Sequence, residues 1–218
     1  MLPPAAESAN GAAPSAGNRG FLRPHLAVCD RPDGLAAIRD PSVTMALWRR
    51  GLPAGLAEAL DGWPDADWTN LRLSTTPDRV TTDAVAAGPL LPDVAALVRL
   101  YADLVGCPAV TLRLERVTGA GCKFLHVDYV GVRLLCTYRG PGTQWAPDEA
   151  AQRDGLGTGD NAAVLPDARR LRRMSAGDVG LLKGESWPGN RGRGLIHRSP
   201  PARPGVARLV LCLDHAEH

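Results

Sequence analysis

The sequence lacks several features that mark common classes of protein. Its 25 lysines and arginines nearly balance its 23 aspartates and glutamates, whereas a general nucleic-acid binder shows a clear basic excess. The N-terminus has no early positive charge followed by an apolar core, which a secretory signal requires. No stretch approaches the roughly twenty apolar residues that cross a bilayer. We therefore expect a soluble, cytoplasmic protein that binds neither membranes nor nucleic acid.

Motifs for three further chemistries are also absent. The five cysteines are scattered without paired C-x-x-C spacing, so we expect thiols and not a disulfide framework. Gly157-Thr158-Gly159 lacks the lysine and the flanking elements of a phosphate-binding loop. No G-x-S-x-G nucleophile elbow occurs in the chain. Histidines and carboxylates remain as the candidates for chemistry.

The chain is predicted to hold a single domain behind a short tail. Residues 1–22 are rich in Ala, Pro, Ser and Gly and have little to bury, so we predict a disordered tail. Residues 23–218 have the length of one domain with a core, and its N-terminal half is predicted to be helical. A short helix is predicted over 53–60. A clearer one is predicted over 93–105, where apolar residues recur at helical spacing.

The C-terminal half changes to an extended pattern. Apolar and polar residues alternate over 110–117, as in a half-buried strand. The other predicted strands are 132–138, 180–183, 194–197 and 207–214. Residues 146–176 are polar and Gly-rich, which is typical of a long surface excursion or lid. Short strands joined by Gly/Pro turns favour a mainly β protein with flanking helices (α+β), built as a sandwich or barrel.

Three residues have the chemistry of a metal site. His126 and Asp128 are two residues apart in an extended segment, so their side chains point to the same face. His197 lies on a second extended segment. Two histidines and one carboxylate that leave other positions open form the facial triad of non-haem Fe(II) oxygenases. A hydrogen-bonded surface pair and an unrelated histidine would give the same pattern. Further residues are therefore needed to distinguish a metal site from this alternative.

Arg208 lies eleven positions after His197, on the next predicted strand. The turn over 200–205 allows a hairpin that brings the two residues together. A guanidinium suits the bidentate binding of a carboxylate, and a 2-oxoglutarate that chelates iron at one end needs such a partner at the other. Arg198 and Arg203 are nearby rivals, although Arg203 falls in the turn. A salt bridge at a strand end is the other interpretation of Arg208.

The order of these motifs resembles a known superfamily. H-V-D at 126–128, G-D-V-G-L-L at 177–182 and H-R-S-P-P at 197–201 precede Arg208. From Val110 onward this order resembles the Fe(II)/2-oxoglutarate-dependent oxygenases. The resemblance implies a double-stranded β-helix (jelly-roll) barrel that carries Fe(II) and 2-oxoglutarate at its mouth.

The same resemblance implies roles for individual residues. His126, Asp128 and His197 would hold the iron, and Arg208 would anchor the distal carboxylate of 2-oxoglutarate. Tyr138 is a candidate second cosubstrate residue, because a hydroxyl near that carboxylate would be useful, although core packing is its other interpretation. The reaction would couple decarboxylation of 2-oxoglutarate to hydroxylation of an unknown substrate, which we expect to be a small molecule.

A closer similarity covers more of the chain. The blocks CKFLHVDYVGVRLLCTYRGPGTQW, LLKGESWPGN and GLIHRSPP are similar to a bacterial domain-of-unknown-function family (1826). This similarity extends upstream through the predicted helix at Asp93. It implies that these blocks belong to one unit, and it implies no activity.

Cys122 keeps a second function open. It lies four residues before His126, and a thiolate, imidazoles and a carboxylate together suit Zn(II) as well as iron. A site made of Cys122, His126, Asp128 and His197 would be closed and tetrahedral. The alternative function is therefore a non-catalytic zinc-binding or metal-responsive protein on the same barrel. A small buried cysteine is the other interpretation of Cys122.

Overall fold

The computed structural model of the chain describes residues 22–23, 25–64, 67–68, 70–119 and 121–216. The predicted disordered tail, residues 1–22, lies outside the described residues except for Leu22, which begins the first strand.

The described residues form mostly strands, connected by short helices. The strands are β1 (Leu22–Arg23), β2 (His25–Cys29), β3 (Val43–Trp48), β4 (Leu71–Thr75), β5 (Val110–Val117), β6 (Val132–Arg139), β7 (Gln144–Trp145), β8 (Arg172–Arg173), β9 (Val179–Lys183), β10 (His197–Arg198) and β11 (Arg208–His215). The α-helices are α1 (Leu56–Asp61), α2 (Val80–Asp83), α3 (Leu91–Val105) and α4 (Asn161–Val164). Short 3-10 helices include Pro32–Arg39, Val85–Leu90, Asp148–Ala150, Arg153–Gly155 and Ala168–Arg170. The predicted mainly β class with flanking helices is confirmed.

Two sheets organise these strands. The large sheet has eight strands in the order β1-β2-β3-β9-β6-β11-β5-β4, and the small sheet has the order β10-β7-β8. Within the large sheet β2 and β3 run parallel, and the other pairs are antiparallel. His126 pairs with His197 and so extends the small sheet beyond β10. No strand pairing joins the two sheets within the described ranges, so the structure shows no closed barrel.

Most predicted strands of the C-terminal half occur within one or two residues of their expected bounds. β5 spans the predicted 110–117. The predicted strand over 194–197 is an exception, because only its last residue enters β10. The N–H of Leu195 donates to Lys183 of the large sheet, while the carbonyl of Ile196 accepts from Ala146 beside the small sheet. This segment therefore crosses from one sheet to the other.

β2 and β3 were not predicted from the sequence. Both strands are buried along almost their whole length. A strand that is covered on both faces needs no polar residues between its apolar ones, so it does not show the alternation that identifies a half-buried strand. The N-terminal half, which was expected to be helical, therefore contains strands as well as helices.

The helix α3 covers one face of the large sheet. It starts at Leu91, with Pro92 in its first turn, and ends before Gly106, whose φ of 73° is suited to glycine. Val94, Leu97, Val98 and Tyr101 form the buried stripe that the helical spacing predicted. The helix packs against β5 and β11.

The segment Val85–Val105 is long and apolar enough to cross a membrane by length and composition. This finding corrects the expectation that no stretch of the chain approaches such a length. In the structure a kink at Gly88 divides the segment. Its α3 part buries its apolar stripe against the large sheet, as a core helix does.

The predicted helix over 53–60 is shorter in the structure and begins later, at Leu56. Gly55 has a φ of 76°, in the left-handed region. That conformation interrupts a right-handed helix, and it separates Pro53 from the helix. The prediction of a helix is confirmed, and its first turn was placed too early.

The core is divided into layers. A large cluster lies between the helices and the large sheet, and a second lies between the two sheets. On β11, Leu209, Leu211 and Leu213 belong to the first cluster, while Val210 and Cys212 belong to the second. A third, small cluster joins the outer face of the small sheet to the excursion over 146–176. The predicted metal ligands lie beside the second layer.

Candidate metal centre

His126 and His197 lie side by side on neighbouring extended segments. The N–H of each donates to the carbonyl of the other, at 3.0 and 2.9 Å. Their ring centres are 4.5 Å apart. The pairing of backbones that are distant in sequence therefore brings the two imidazoles to one place.

Both imidazoles are held in the orientation that a metal ligand needs. Nδ1 of His126 lies 2.9 Å from the carbonyl oxygen of Phe124, and Nδ1 of His197 lies 3.0 Å from that of Leu195. A carbonyl oxygen only accepts hydrogen bonds, so each Nδ1 must donate its proton. In the neutral ring each Nε2 then carries a lone pair. Burial lowers the pKa of His126, which favours its neutral form.

Asp128 completes the cluster. Its Oδ2 lies 3.3 Å from Nε2 of His197, and its Oδ1 lies 3.7 Å from Nε2 of His126. One donor atom from each of the three residues lies within 4.8 Å of the others. Burial opposes ionisation of Asp128, but the neighbouring His197 and Arg133 outweigh it and lower the pKa to about 2.

The contact between Asp128 and His197 is the part of the cluster where a positive charge is most needed. Oδ2 of Asp128 is buried and has no hydrogen-bond partner. In the neutral ring, whose proton is on Nδ1, Nε2 of His197 is a second acceptor beside it, and a proton or a metal ion at Nε2 would remove the conflict. Two buried acceptors at 3.3 Å repel each other unless a cation lies between them.

Arg133 holds the other oxygen of Asp128. Its Nη1 lies 2.8 Å from Oδ1 of Asp128. Its Nε and Nη2 donate to the two oxygens of Asp214 at 2.7 and 2.9 Å, and Arg113 donates to the same carboxylate at 3.0 Å. Neither Arg133 nor Asp214 was predicted from the sequence to belong to the site. The only signal was a charged residue inside an otherwise apolar strand.

A cavity of about 110 Å³ lies beside the cluster. Its lining residues are Arg113, Glu115, Val117, Cys122, His126, Arg133, Leu135, Thr143, His197, Arg198, Ser199, Arg208, Val210 and Cys212. The cavity therefore brings together the two predicted histidine ligands and the predicted cosubstrate anchor.

Arg208 is a buried cation in the wall of this cavity. Its side chain is 6% exposed, and its Nε donates to the carbonyl of Pro141 at 2.7 Å. No carboxylate of the described residues lies within ion-pair distance of its guanidinium. Burial lowers its pKa to about 10, so it is still charged at neutral pH. A buried cation of this kind is stabilised by an anion that enters the cavity.

Tyr138 lies on the wrong face for the role expected of it. Its hydroxyl donates to Oδ2 of Asp93 at 2.7 Å, within the core between the large sheet and α3. Side chains alternate across a strand, so Tyr138 faces away from the cavity while Leu135 lines it. The structure therefore does not bring Tyr138 together with Arg208, and we do not retain its predicted cosubstrate role.

Cys122 and the rival arginines do not join the cluster. Cys122 is exposed and borders the cavity, but the cluster of closely spaced donor atoms does not include it. Arg198 donates through Nε to Gln144. Arg203 lies in the turn, where it forms a bridge with Val206. The four-ligand site that Cys122 would close is not assembled.

A comparison with protein families identifies the chain. The model of the family described as "Protein of unknown function (DUF1826)" matches residues 29–214. The chain belongs to the DUF1826 family. The similarity predicted from the three sequence blocks is thereby confirmed, and it extends over almost all of the described residues. A comparison with curated proteins found no match.

Solved structures similar to this DUF1826 member include three oxygenases. A dioxygenase for auxin oxidation from rice is 15% identical over 84% of this chain and 78% of its own, with a TM-score of 0.47. The Arabidopsis thaliana dioxygenase for auxin oxidation 1, in complex with 2-oxoglutarate, is 11% identical over 86% of each chain, with a TM-score of 0.46. A prolyl-4-hydroxylase from Pseudomonas putida is 16% identical over 84% of this chain and 94% of its own, with a TM-score of 0.44.

Proposed function

We propose that this protein is an Fe(II)- and 2-oxoglutarate-dependent oxygenase. One observation carries the proposal. The two histidines of the three-residue cluster with Asp128 line the same cavity as the buried cation of Arg208, which has no carboxylate partner among the described residues. Such a cavity can take a divalent metal at one end and a carboxylate at the other.

The ligand set favours an open site over a closed one. His126 and His197 would bind through Nε2 and Asp128 through its carboxylate, which leaves other metal positions free for small molecules. Two histidines and one carboxylate suit non-haem Fe(II). A structural zinc site has four protein ligands, and the clustered donors within the described residues are three.

The charges around the cavity fit a metal together with a dianion. Three arginines and three carboxylates cancel there: Arg113, Arg133 and Arg208 against Glu115 in the wall and Asp128 and Asp214, which contact Arg133. Arg198 also borders the cavity and adds a fourth cation, whose Nε donates to Gln144. A divalent metal would add two positive charges, and a dicarboxylate such as 2-oxoglutarate would offset both.

Each residue has a distinct task in this proposal. The bound iron would supply the redox chemistry that couples decarboxylation of 2-oxoglutarate to oxidation of a substrate. Arg208 would orient the cosubstrate through its distal carboxylate. Leu135 and Val210 would keep the wall between the two ends apolar and exclude water. A cavity of about 110 Å³ has room for little more than the cosubstrate, so the substrate would approach at its mouth.

We also propose that the two facing sheets form one jelly-roll domain over residues 23–218, with the metal between them. A cytoplasmic location and a small-molecule substrate stay predictions. The alternative function is a non-catalytic zinc or metal-responsive protein, and the observation that keeps it open is that Cys122 borders the same cavity.

Spectroscopy of the iron-loaded protein separates these functions. Purified protein is loaded with Fe(II) without oxygen, and 2-oxoglutarate is added. The proposal predicts the visible charge-transfer band of an iron chelate, and Arg208→Gln should need much more 2-oxoglutarate to produce it. Tight, slowly exchanging Zn(II) and no band in the iron-loaded protein would exclude the oxygenase and support the alternative.

A further inference from the structure

Two cavities adjoin each other on the side of the small sheet that the excursion over 146–176 covers. Their volumes are about 230 and 330 Å³. Asn161 and Arg198 line both of them, so they form one continuous depression, which we call the outer groove. Neither cavity is lined by His126, Asp128, His197 or Arg208.

One half of the outer groove is apolar. It is lined by carbon-rich side chains: Leu125, Ala162, Leu165, Pro166, Ala168 and Leu171. Asn161 also borders it, but its amide is already engaged. Its Oδ1 accepts from the N–H of Leu125 at 2.7 Å, and its Nδ2 donates to the carbonyl of Lys123 at 3.2 Å. This half therefore offers a ligand almost only apolar surface.

The other half carries positive charge. Arg198 is half-buried, and its Nε donates to Gln144 at 2.9 Å, which orients the guanidinium. Within the part of the chain that the structure describes, no carboxylate lies within ion-pair distance of Arg198. Lys123 borders the same end, and its Nζ lies 4.9 Å from the ring centre of Phe124. Lys123 therefore lies over an exposed aromatic ring, in a cavity that Arg198 also lines.

Two acidic residues of the covering segment directly precede a groove residue in sequence, and both are engaged elsewhere. Oδ1 of Asp160 accepts from the N–H of Ala162 at 2.8 Å and so caps α4. Asp167 binds Arg169 at 2.9 Å. The segment that covers the groove therefore does not neutralise the charge of Arg198, and an acidic ligand would complement it.

We propose that the outer groove binds a small amphipathic monoanion, with its apolar body in the leucine-lined half and its acid group on Arg198 and Lys123. Leu125 and Arg198 directly neighbour His126 and His197 in sequence. An occupant would therefore contact the two segments that carry the histidines on the side that the excursion covers, although Arg198 and Ser199 also border the metal cavity. This binding needs neither metal nor 2-oxoglutarate, so it does not depend on the proposed function.

Calorimetric titration of the full-length, metal-free protein tests the proposal. Octanoate and octanol are the probes, because they share an apolar chain and differ in the acid group. We expect saturable binding of one octanoate, about tenfold tighter than octanol, since a charge-assisted hydrogen bond is lost in the alcohol. Arg198→Gln should abolish this preference. The matched control Arg191→Gln, at an exposed site outside both cavities, should retain it.

A second variant tests the apolar half. Ala162 is exposed in α4 and borders that half, and leucine is well tolerated in helices. We expect Ala162→Leu to fill part of the space and to weaken octanoate and octanol equally. An unchanged thermal transition would show that the variant is folded.

Several results would overturn the proposal. Absence of saturable octanoate binding would do so, as would equal affinity in the wild type and Arg198→Gln. If Arg208→Gln removed octanoate binding, the ligand would lie in the metal cavity instead. A dimer in light scattering that Ala162→Leu dissociates would show that a second copy of the chain occupies the groove. None of these results would change the outcome expected for the experiment with Fe(II) and 2-oxoglutarate.

Discussion

Nη1 of Arg133 lies 2.8 Å from Oδ1 of Asp128, and this contact directs the second oxygen of Asp128 toward His197. Arg133 is itself fixed by two hydrogen bonds to Asp214. The carboxylate of the candidate metal centre is therefore held from behind by a chain of charged groups that reaches β11. Partners of this kind set the orientation of metal ligands.

Loss of Arg133 should weaken metal binding. For Arg133→Gln we expect the affinity for Co(II) or Fe(II) to fall about tenfold to a hundredfold, as is usual when a partner of a ligand is removed. Titration of the metal-free protein measures this. Arg139→Gln on the same strand is the control, because Arg139 pairs with exposed Asp61 away from the cavity. Equal affinities in the two variants would show that Asp128 needs no support from Arg133.

The three clustered residues should be needed for metal binding, and Cys122 should not. We expect His126→Ala and His197→Ala to bind metal at background level, because each removes one of three ligands. Cys122→Ser should keep the affinity of the wild type. The measurement is metal content after loading and desalting. If Cys122→Ser also lost its metal, Cys122 would be a fourth ligand and the site would be a closed zinc site. No coordination position would then be free for the cosubstrate, which would contradict the oxygenase proposal.

Arg208 should affect the cosubstrate and not the metal. We expect Arg208→Gln to lower the affinity of the iron-loaded protein for 2-oxoglutarate by at least about tenfold, because a charge-assisted contact is lost. Its affinity for the metal should be unchanged. Arg203→Gln in the exposed turn is the matched control. A variant that binds 2-oxoglutarate as well as the wild type would assign Arg208 to structure alone.

Tyr138 should contribute to stability and not to binding. Its hydroxyl donates to Asp93, which also accepts two hydrogen bonds from Arg50 at 2.7 and 2.8 Å. Tyr138→Phe removes one bond to a buried carboxylate, so we expect the free energy of unfolding to fall by about 1–3 kcal/mol. Chemical denaturation measures this loss. Reduced 2-oxoglutarate affinity in a folded Tyr138→Phe protein would restore the role first predicted for it.

Gly184 should be needed both for stability and for metal binding. A Cβ at this position would overlap the carbonyl oxygen of Val130 and lie 2.6 Å from that of Asp128. We expect Gly184→Ala to shift the segment around Asp128 and to lower both stability and metal affinity. Gly62→Ala is the control, since its Cβ would meet only ordinary contacts of 3.7 and 3.8 Å. Normal metal binding in Gly184→Ala would show that the segment can adjust.

The features that the sequence predicted depend on local patterns. The alternation of β5, the apolar stripe of α3 and the spacing of His126 and Asp128 are set by the geometry of single elements. β2 and β3 lack such a pattern because they are buried on both faces. The sequence also did not predict which face of β6 Tyr138 occupies. Alternation along a strand defines two faces, but it does not determine which of them lines the cavity.

By itself the sequence determined the mainly β class, the α3 helix and three candidate ligands in the right order with Arg208. Only the tertiary structure decided which of them meet. The pairing of His126 with His197, the support of Asp128 by Arg133 and the exclusion of Tyr138 all arise from contacts between segments distant in the chain. Local patterns carry no information on such contacts, since these depend on how the two sheets pack around one core.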